Sequence, residues 1–326
     1  MKITAYSVSG EEIEYFEKHK AAFGAEITYV EGKPTIENAD SAAGADCVNV
    51  LSSVVLSDEL YDRYKALGVR LAVTRTVGVE HMNLPYAEKI GMPVRSITYS
   101  AASVADYAIM MMLMVLRNVK PMMQRYLGQD YTAQGIRGRE LPDMTVGIVG
   151  AGRIGRTTAE HLGGFGCRVL YWDRIEKPEM RGAAEYAPLD TLLGSSDIVS
   201  LHLALCDETR HFIDMVKIGK MKNGAVLINT ARGPLVDSDA LIGALESGKI
   251  GGAGLDVFDG DRLIYYRDFK NRLVQPREMA ILNSMPNVLM LPHMAYYTDR
   301  ASEDMVRNSL ECAAEFFKRQ GRSEQR

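Results

Sequence analysis

The chain has 326 residues, 47% hydrophobic and 25% charged, with a net charge of -4; these are ordinary values for a globular protein with room for two domains. The mild acidity gives no footing for a nucleic-acid or membrane-surface partner. The richest apolar stretch, Ala108 to Leu116, falls far short of the roughly 20 residues that a bilayer span requires. The amino terminus, MKITAYSVSGEE, becomes charged too soon for a secretory leader, so a cytoplasmic location is expected. Cys47, Cys167, Cys206 and Cys312 are widely spaced with no C-x-x-C pair, which reads as free thiols and not as a metal centre.

In the first hundred residues, strand patterns fall at Ile3 to Val8, Glu26 to Val30, Cys47 to Leu51 and Arg70 to Thr74. Helical patterns lie between them at Glu11 to Ala22, Glu37 to Ala43 and Asp58 to Leu67. Such alternation predicts a parallel α/β sheet with right-handed crossovers. No glycine fingerprint occurs here, so this is an α/β domain with a task of its own. Ser103 to Leu116 is a helix rich in methionine and alanine, a candidate link between domains, and Val119 to Leu127 is another. The stripe Met110, Met111, Met112 and Met114 reads as core or subunit interface.

The stretch MTVGIVGAGRIGRTTAEHLGGFGCRVLYWD, from Met144 to Asp173, is the most informative in the chain. An apolar strand passes into Gly150-Ala151-Gly152-Arg153-Ile154-Gly155, a G-x-G-x-x-G; a helical pattern and a second strand, Arg168 to Trp172, follow. Gly150 permits the tight turn, Gly152 lets backbone approach a pyrophosphate, and Gly155 allows the helix to pack close to the sheet. The helix N-terminus offers N–H groups and a positive dipole end to phosphates. Asp173 ends the second strand 18 residues after Gly155, where a carboxylate accepts hydrogen bonds from a ribose diol. That favours NAD over NADP, although Arg174 beside it leaves some NADP use open.

The alternation continues with strands at Ile198 to Leu203, Ala225 to Asn229, Gly251 to Val257 and Val288 to Leu291. Asp237 is a cap for the helix Asp239 to Leu245, and Gly248 marks its end. A polar, aromatic loop runs from Asp259 to Pro276, and Ser302 to Lys318 is an amphipathic helix expected to return to the first domain. Three charged or titratable residues follow strand ends, the edge that faces the cofactor in a doubly wound sheet. Arg232 can grip a carboxylate with a bidentate fork. Asp259 follows the next strand, and His293, with a carboxylate partner, would exchange a proton near neutral pH. On spacing alone, a salt-bridged Arg232 and an idle loop His293 remain equally open.

INTARGPLVD, GGAGLDVFDGD and MPNVLMLPHMAYYT, in that order after GAGRIG, resemble the D-specific 2-hydroxyacid dehydrogenases. The resemblance is closest to the D-lactate dehydrogenase branch and also covers RTVGVEHMNL (from Arg75) and YSAASVADYAIMMMLMVLRNVK (from Tyr99). It implies two Rossmann-like or flavodoxin-like α/β domains: an NAD domain, 100–297, inserted into a substrate domain of 1–99 plus 298–326. It further implies that His293 is the general acid/base, paired with Asp259 where the family has glutamate. Arg232 would bind the substrate carboxylate and polarise the 2-oxo group, with Val77 and Gly78 offering backbone N–H groups and Tyr99 lining the site. Arg153 and Ile154 would meet the pyrophosphate, Asp173 the adenosine ribose and Asp256 the nicotinamide amide. His202, Thr230 and Ala231 would lie along the rest of the cofactor. A homodimer is the expected assembly.

The chain departs from the family pattern in places. Asp259 is one methylene shorter than glutamate, and Ala101 and Ala204 replace prolines. Leu51 stands where lactate-specific relatives carry a tyrosine, which makes the pocket roomier and shifts weight from pyruvate toward 4-methyl-2-oxopentanoate or phenylpyruvate. Two rivals remain: an NAD-sensing corepressor on the same fold, and a short phosphoglycerate dehydrogenase.

Overall fold

Short runs of valine, isoleucine and leucine, each followed by a polar helical stretch, assemble into two all-parallel sheets. The computed structural model describes residues 1–52, 55–272, 274 and 276–323. Parts of the LSSVVLS segment, of the 259–276 loop and of the carboxyl terminus therefore lie outside the described residues. The chain divides into two compact units, Met1–Ser100 with Tyr297–Arg326, and Ala101–Tyr296.

The first unit begins with β1 (Lys2–Tyr6), α1 (Gly10–His19), β2 (Glu26–Val30) and β3 (Cys47–Val50). It continues with α2 (Asp58–Ala66), β4 (Leu71–Thr74), α3 (Leu84–Lys89) and β5 (Val94–Arg95). The parallel order is β2-β1-β3-β4-β5. A capping box starts α1: the Ser9 hydroxyl accepts from the Glu12 N–H while the Glu12 carboxylate accepts from the Ser9 N–H. The expected helix at 37–43 is only a 3₁₀ turn, Ala39–Ala42, with no side-chain cap to extend it.

The second unit opens on α4 (Ala101–Leu116), α5 (Val119–Leu127), β6 (Thr145–Val149), α6 (Arg153–Leu162) and β7 (Arg168–Trp172). Next come β8 (Glu185–Tyr186), α7 (Leu189–Ser195), β9 (Ile198–Leu201), α8 (Met215–Lys220) and β10 (Ala225–Asn229). The unit ends with α9 (Ser238–Glu246), β11 (Ile250–Leu255), α10 (Arg277–Ser284) and β12 (Val288–Met290). Its sheet runs β12-β11-β10-β9-β6-β7-β8, so the strand order reverses between β6 and β9. The strands are buried on both faces, as a parallel sheet covered by helices requires. Met111 and Met112 of α4 are core residues, whereas Met110 is exposed. Asp237 caps α9 by accepting from the Ala240 N–H, and Gly248 past its end adopts φ 74°.

The last helix, α11 (Asp299–Ser323), belongs to the first unit and packs on α1 and β4. Val306, Leu310 and Ala313 are fully buried, and Asn49 of β3 donates to the Ser309 hydroxyl at 2.8 Å. No single described helix is long and apolar enough to cross a membrane.

Candidate active site

The glycine turn sits at the C-terminal end of β6, beside the reversal in strand order, where an open parallel sheet leaves a crevice for ligand. Gly150 has φ 101°, and a Cβ there would lie 2.8 Å from the His202 carbonyl group. A Cβ on Gly155 would lie 2.0 Å from the Gly150 oxygen, so only glycine lets α6 start this close to the sheet. Gly152, the N-cap of α6, makes no side-chain cap, and a Cβ on it would meet nothing within 4 Å. Its helix therefore presents N–H groups to an open approach, flanked by Arg153 and Ile154. Asp173 follows β7 and accepts from the Ala151 N–H at 3.0 Å and the Arg174 N–H at 2.7 Å, tying the glycine turn to the neighbouring strand. Across the reversal, the His202 N–H donates to the Val149 carbonyl, and the imidazole lies 2.9 Å from the Ser200 hydroxyl. Burial pushes that imidazole down to about 4, so His202 is neutral at physiological pH. Thr230 is buried and its hydroxyl has no hydrogen-bond partner among the described residues. Such a group waits for a polar ligand. The cradle, the uncapped helix and the orphaned hydroxyl all fit a dinucleotide.

The next three strand ends, those of β10, β11 and β12, lie on the same edge of the sheet because the strands are parallel neighbours. After β10, the Asn229 side chain holds the turn by accepting from the Ala231 N–H and donating to the Arg232 carbonyl, at 3.0 and 2.9 Å. The Arg232 Nη1 donates to the Ala231 carbonyl at 2.8 Å. Gly233 comes next; a Cβ there would stand 2.0 Å from the Phe258 oxygen, so this turn presses directly on the segment after β11. After β12, His293 adopts φ 58°, a left-handed conformation that costs a side-chain-bearing residue on the order of 1–3 kcal/mol. Asp256 holds it there. Its carbonyl accepts from the His293 N–H, and its two carboxylate oxygens accept from the Met294 and Ala295 N–H groups at 3.0 Å. Burial raises the Asp256 carboxyl, and those backbone donors act against the rise. Asp256 thus has a structural task besides any contact with nicotinamide.

The partner expected for His293 needs correction. Asp259 is turned outward, with its Oδ2 3.4 Å from His211 Nε2. The carboxylate facing His293 is Asp261, whose Oδ2 is 3.9 Å from Nδ1. That is the long end of an ion pair, of the kind that tightens when substrate binds. The physical reason is Gly260: at φ 100° it reverses the chain and starts a 3₁₀ turn, Asp261–Leu263, which carries the second acid of DGD inward. The Asp261 side chain is 13% exposed against 39% for Asp259. Burial pushes the Asp261 carboxyl up to about 6, with the positive charges of Arg262 and Arg232 pulling against it. One further residue escapes sequence reasoning altogether. Tyr266, at φ 62°, donates its hydroxyl to the His293 carbonyl at 2.7 Å. A tyrosine in an aromatic loop gives no signal of such a role.

In the first unit, the loop after β4 carries Val77 and Gly78. Thr76 anchors it by donating to the Gly78 carbonyl at 2.7 Å, while Thr74 joins Thr76 to the buried His81 at 2.7 and 2.8 Å. Arg75 is fully buried and bridges Glu12, Asn49 and the Tyr6 carbonyl, which locks the loop's base to β1 and β3. Val77 is exposed, and Leu51 and Tyr99 are partly exposed.

Residues 109–295 match the family model for the D-isomer specific 2-hydroxyacid dehydrogenase, NAD binding domain. The chain is 40% identical over 310 residues to a D-specific alpha-keto acid dehydrogenase of Enterococcus faecalis, covering 95% of each chain. It is 33% identical over 318 residues to an aromatic 2-oxoacid reductase of Clostridium sporogenes, covering 97% of this chain and 96% of the relative. Among solved structures, a D-lactate dehydrogenase from Treponema pallidum superposes with a TM-score of 0.89 at 30% identity, covering 98% and 97% of the two chains. The chain therefore belongs to the D-isomer-specific 2-hydroxyacid dehydrogenases, in their D-lactate dehydrogenase branch, as an oxidoreductase that uses NAD.

Proposed function

We propose that the protein reduces a 2-oxo acid to the (R)-2-hydroxy acid with NADH, with pyruvate as the first substrate and His293 as the general acid/base. The observation that carries this reading is the set of Arg232, Asp261 and His293 on adjacent strand ends beside a dinucleotide cradle. In the cradle, the N–H groups at Gly152, Arg153 and Ile154 receive the pyrophosphate, Asp173 the adenosine ribose, and Thr230 a polar edge of the cofactor. His202, Ala231 and Asp256 line the remainder. When bound, NADH supplies the hydride that reduces the 2-oxo carbon.

The rest belongs to the protein. The Arg232 guanidinium forks onto the substrate carboxylate and sets positive charge where the alkoxide develops. In the first unit, the resemblance assigns Val77 and Gly78 the offer of backbone N–H groups to a substrate carboxylate, and Tyr99 the lining of the substrate. Asp261 faces Nδ1 of His293, which directs the transferable proton to Nε2 and stabilises the imidazolium before reduction. The first unit acts as the substrate domain in this scheme. A second reading, larger apolar 2-oxo acids, is favoured by Leu51, which adds neither charge nor an aromatic lid. The name of the Clostridium relative, an aromatic 2-oxoacid reductase, points the same way. The complete catalytic set argues against a corepressor. The exposed Met122, Met123, Tyr126 and Leu127 on α5 suit a homodimer, proposed here as cytoplasmic.

The test is a steady-state panel of pyruvate, 4-methyl-2-oxopentanoate, phenylpyruvate and 2-oxoglutarate with NADH and NADPH, with product chirality read out. Turnover of none of the four would sink the enzyme reading. A kcat/KM for phenylpyruvate above that for pyruvate would promote the second reading over the first.

A further inference from the structure

We propose that Tyr266 is a positioning residue that holds His293 in its working orientation; the proposal rests on His293 being the acid/base. The peptide that joins His293 to Met294 is gripped at both ends. The Tyr266 hydroxyl donates to the His293 carbonyl at 2.7 Å, and the Met294 N–H donates to Asp256 Oδ1 at 3.0 Å. The peptide before it is held through the His293 N–H, which donates to the Asp256 carbonyl at 2.9 Å. The first two bonds set ψ of His293 and the third sets φ, so together they determine where its Cα–Cβ bond, and hence the imidazole, points.

Such pinning is required because His293 stands at φ 58°, from which a residue with a side chain relaxes readily toward the right-handed or extended regions. Asp256 works from the end of β11, while Tyr266 works from the loop beyond it and is itself held at φ 62°. Adjacent rings hem in the imidazole. Tyr266 lies 6.0 Å away at 36°, and Tyr296 meets it edge-on at 6.5 Å and 88°. The preceding Tyr265 faces the other way: it is buried edge-on against Phe258 at 5.5 Å, and its hydroxyl has no hydrogen-bond partner among the described residues. The left-handed step at Tyr266 thus sends two neighbouring phenols to different places, one to the core and one to the histidine.

Proton transfer is sensitive to displacements of an ångström or less. Tyr266→Phe, which removes only the hydroxyl, is therefore expected to lower kcat at least fivefold, with the KM for the 2-oxo acid and the Kd for NADH within twofold of wild type. Tyr265→Phe is the matched control and keeps kcat. Placed on a His293→Ala background, Tyr266→Phe has no further effect, because its action passes through the imidazole. The proposal is overturned by a Tyr266→Phe kcat within twofold of wild type, or by an equal loss on the His293→Ala background, which would put Tyr266 on the substrate itself. Unchanged kcat in His293→Ala alone removes the acid/base reading and the proposal with it, a result distinguishable because Tyr266 is intact.

Discussion

At the scale of single residues, Asp261, the acid proposed to act through His293, carries a cost of burial. Its carboxyl is raised by burial from 3.8 to about 6. The native state thus holds the proton more tightly than the unfolded chain, and stability falls as the pH climbs from about 4 to 6. Above pH 6 the full cost of the buried charge, about 3 kcal/mol, is present. Asp261→Asn should therefore melt higher than wild type at pH 8 and not at pH 4, while losing ten- to a hundredfold in kcat. Asp259→Asn, on the exposed side of the same turn, should change kcat by less than about threefold. Thermal melts at the two pH values, with initial rates, decide both; a normal kcat in Asp261→Asn would return the role to Asp259. The sequence places two acids after β11, and their spacing alone does not say which turns inward. That choice depends on Gly260, whose φ of 100° is a property of the folded loop. The positions of Arg232 and His293 after β10 and β12 were legible because each comes within three residues of an apolar strand, whereas the roles proposed for them came from the family resemblance.

At the scale of elements, the glycine fingerprint separates two jobs that look alike in the sequence. Gly155 is a packing requirement, since a Cβ would strike the Gly150 oxygen at 2.0 Å, whereas around Gly152 there is open space. Gly155→Ala should lower the melting temperature by several degrees and weaken NADH binding as a consequence. Gly152→Ala should melt like wild type yet bind NADH at least tenfold more weakly, because its methyl enters the approach to the helix N-terminus. Calorimetry and fluorescence titration distinguish them, and equal NADH affinity in Gly152→Ala would count against this placement of the pyrophosphate. Strands bounded by polar or glycine-rich turns were readable from residues alone: Glu26–Val30, Arg168–Trp172 and Ala225–Asn229 form as strands at those bounds. The helices α3, α7, α8 and α10 run only six to eight residues, barely two turns, too short to display a 3.6-residue period. The strands β5 and β8 have two residues each and exist only because a neighbouring strand is there to pair with them.

At the scale of the molecule, the two units differ in how the chain builds them. The second is continuous, 101–296, and has its own cores on both faces of its sheet. Expressed alone, 101–296 should fold cooperatively and bind NADH with an affinity close to that of the whole chain; a molten fragment would refute its independence. The segment 1–100 should not fold alone, because it lacks α11, which buries Val306, Leu310 and Ala313 and satisfies Asn49 from β3. That helix is also made after the whole of the second unit. Translation at about 5–20 residues per second means that roughly 10–40 s pass between the synthesis of residue 100 and that of α11. Throughout that interval the nascent first unit lacks the helix that packs on α1 and β4, while the second unit can already be finished. The order of assembly is therefore the reverse of the order of synthesis. A host that expresses the protein must shelter β3 and β4 until the carboxyl-terminal helix leaves the ribosome.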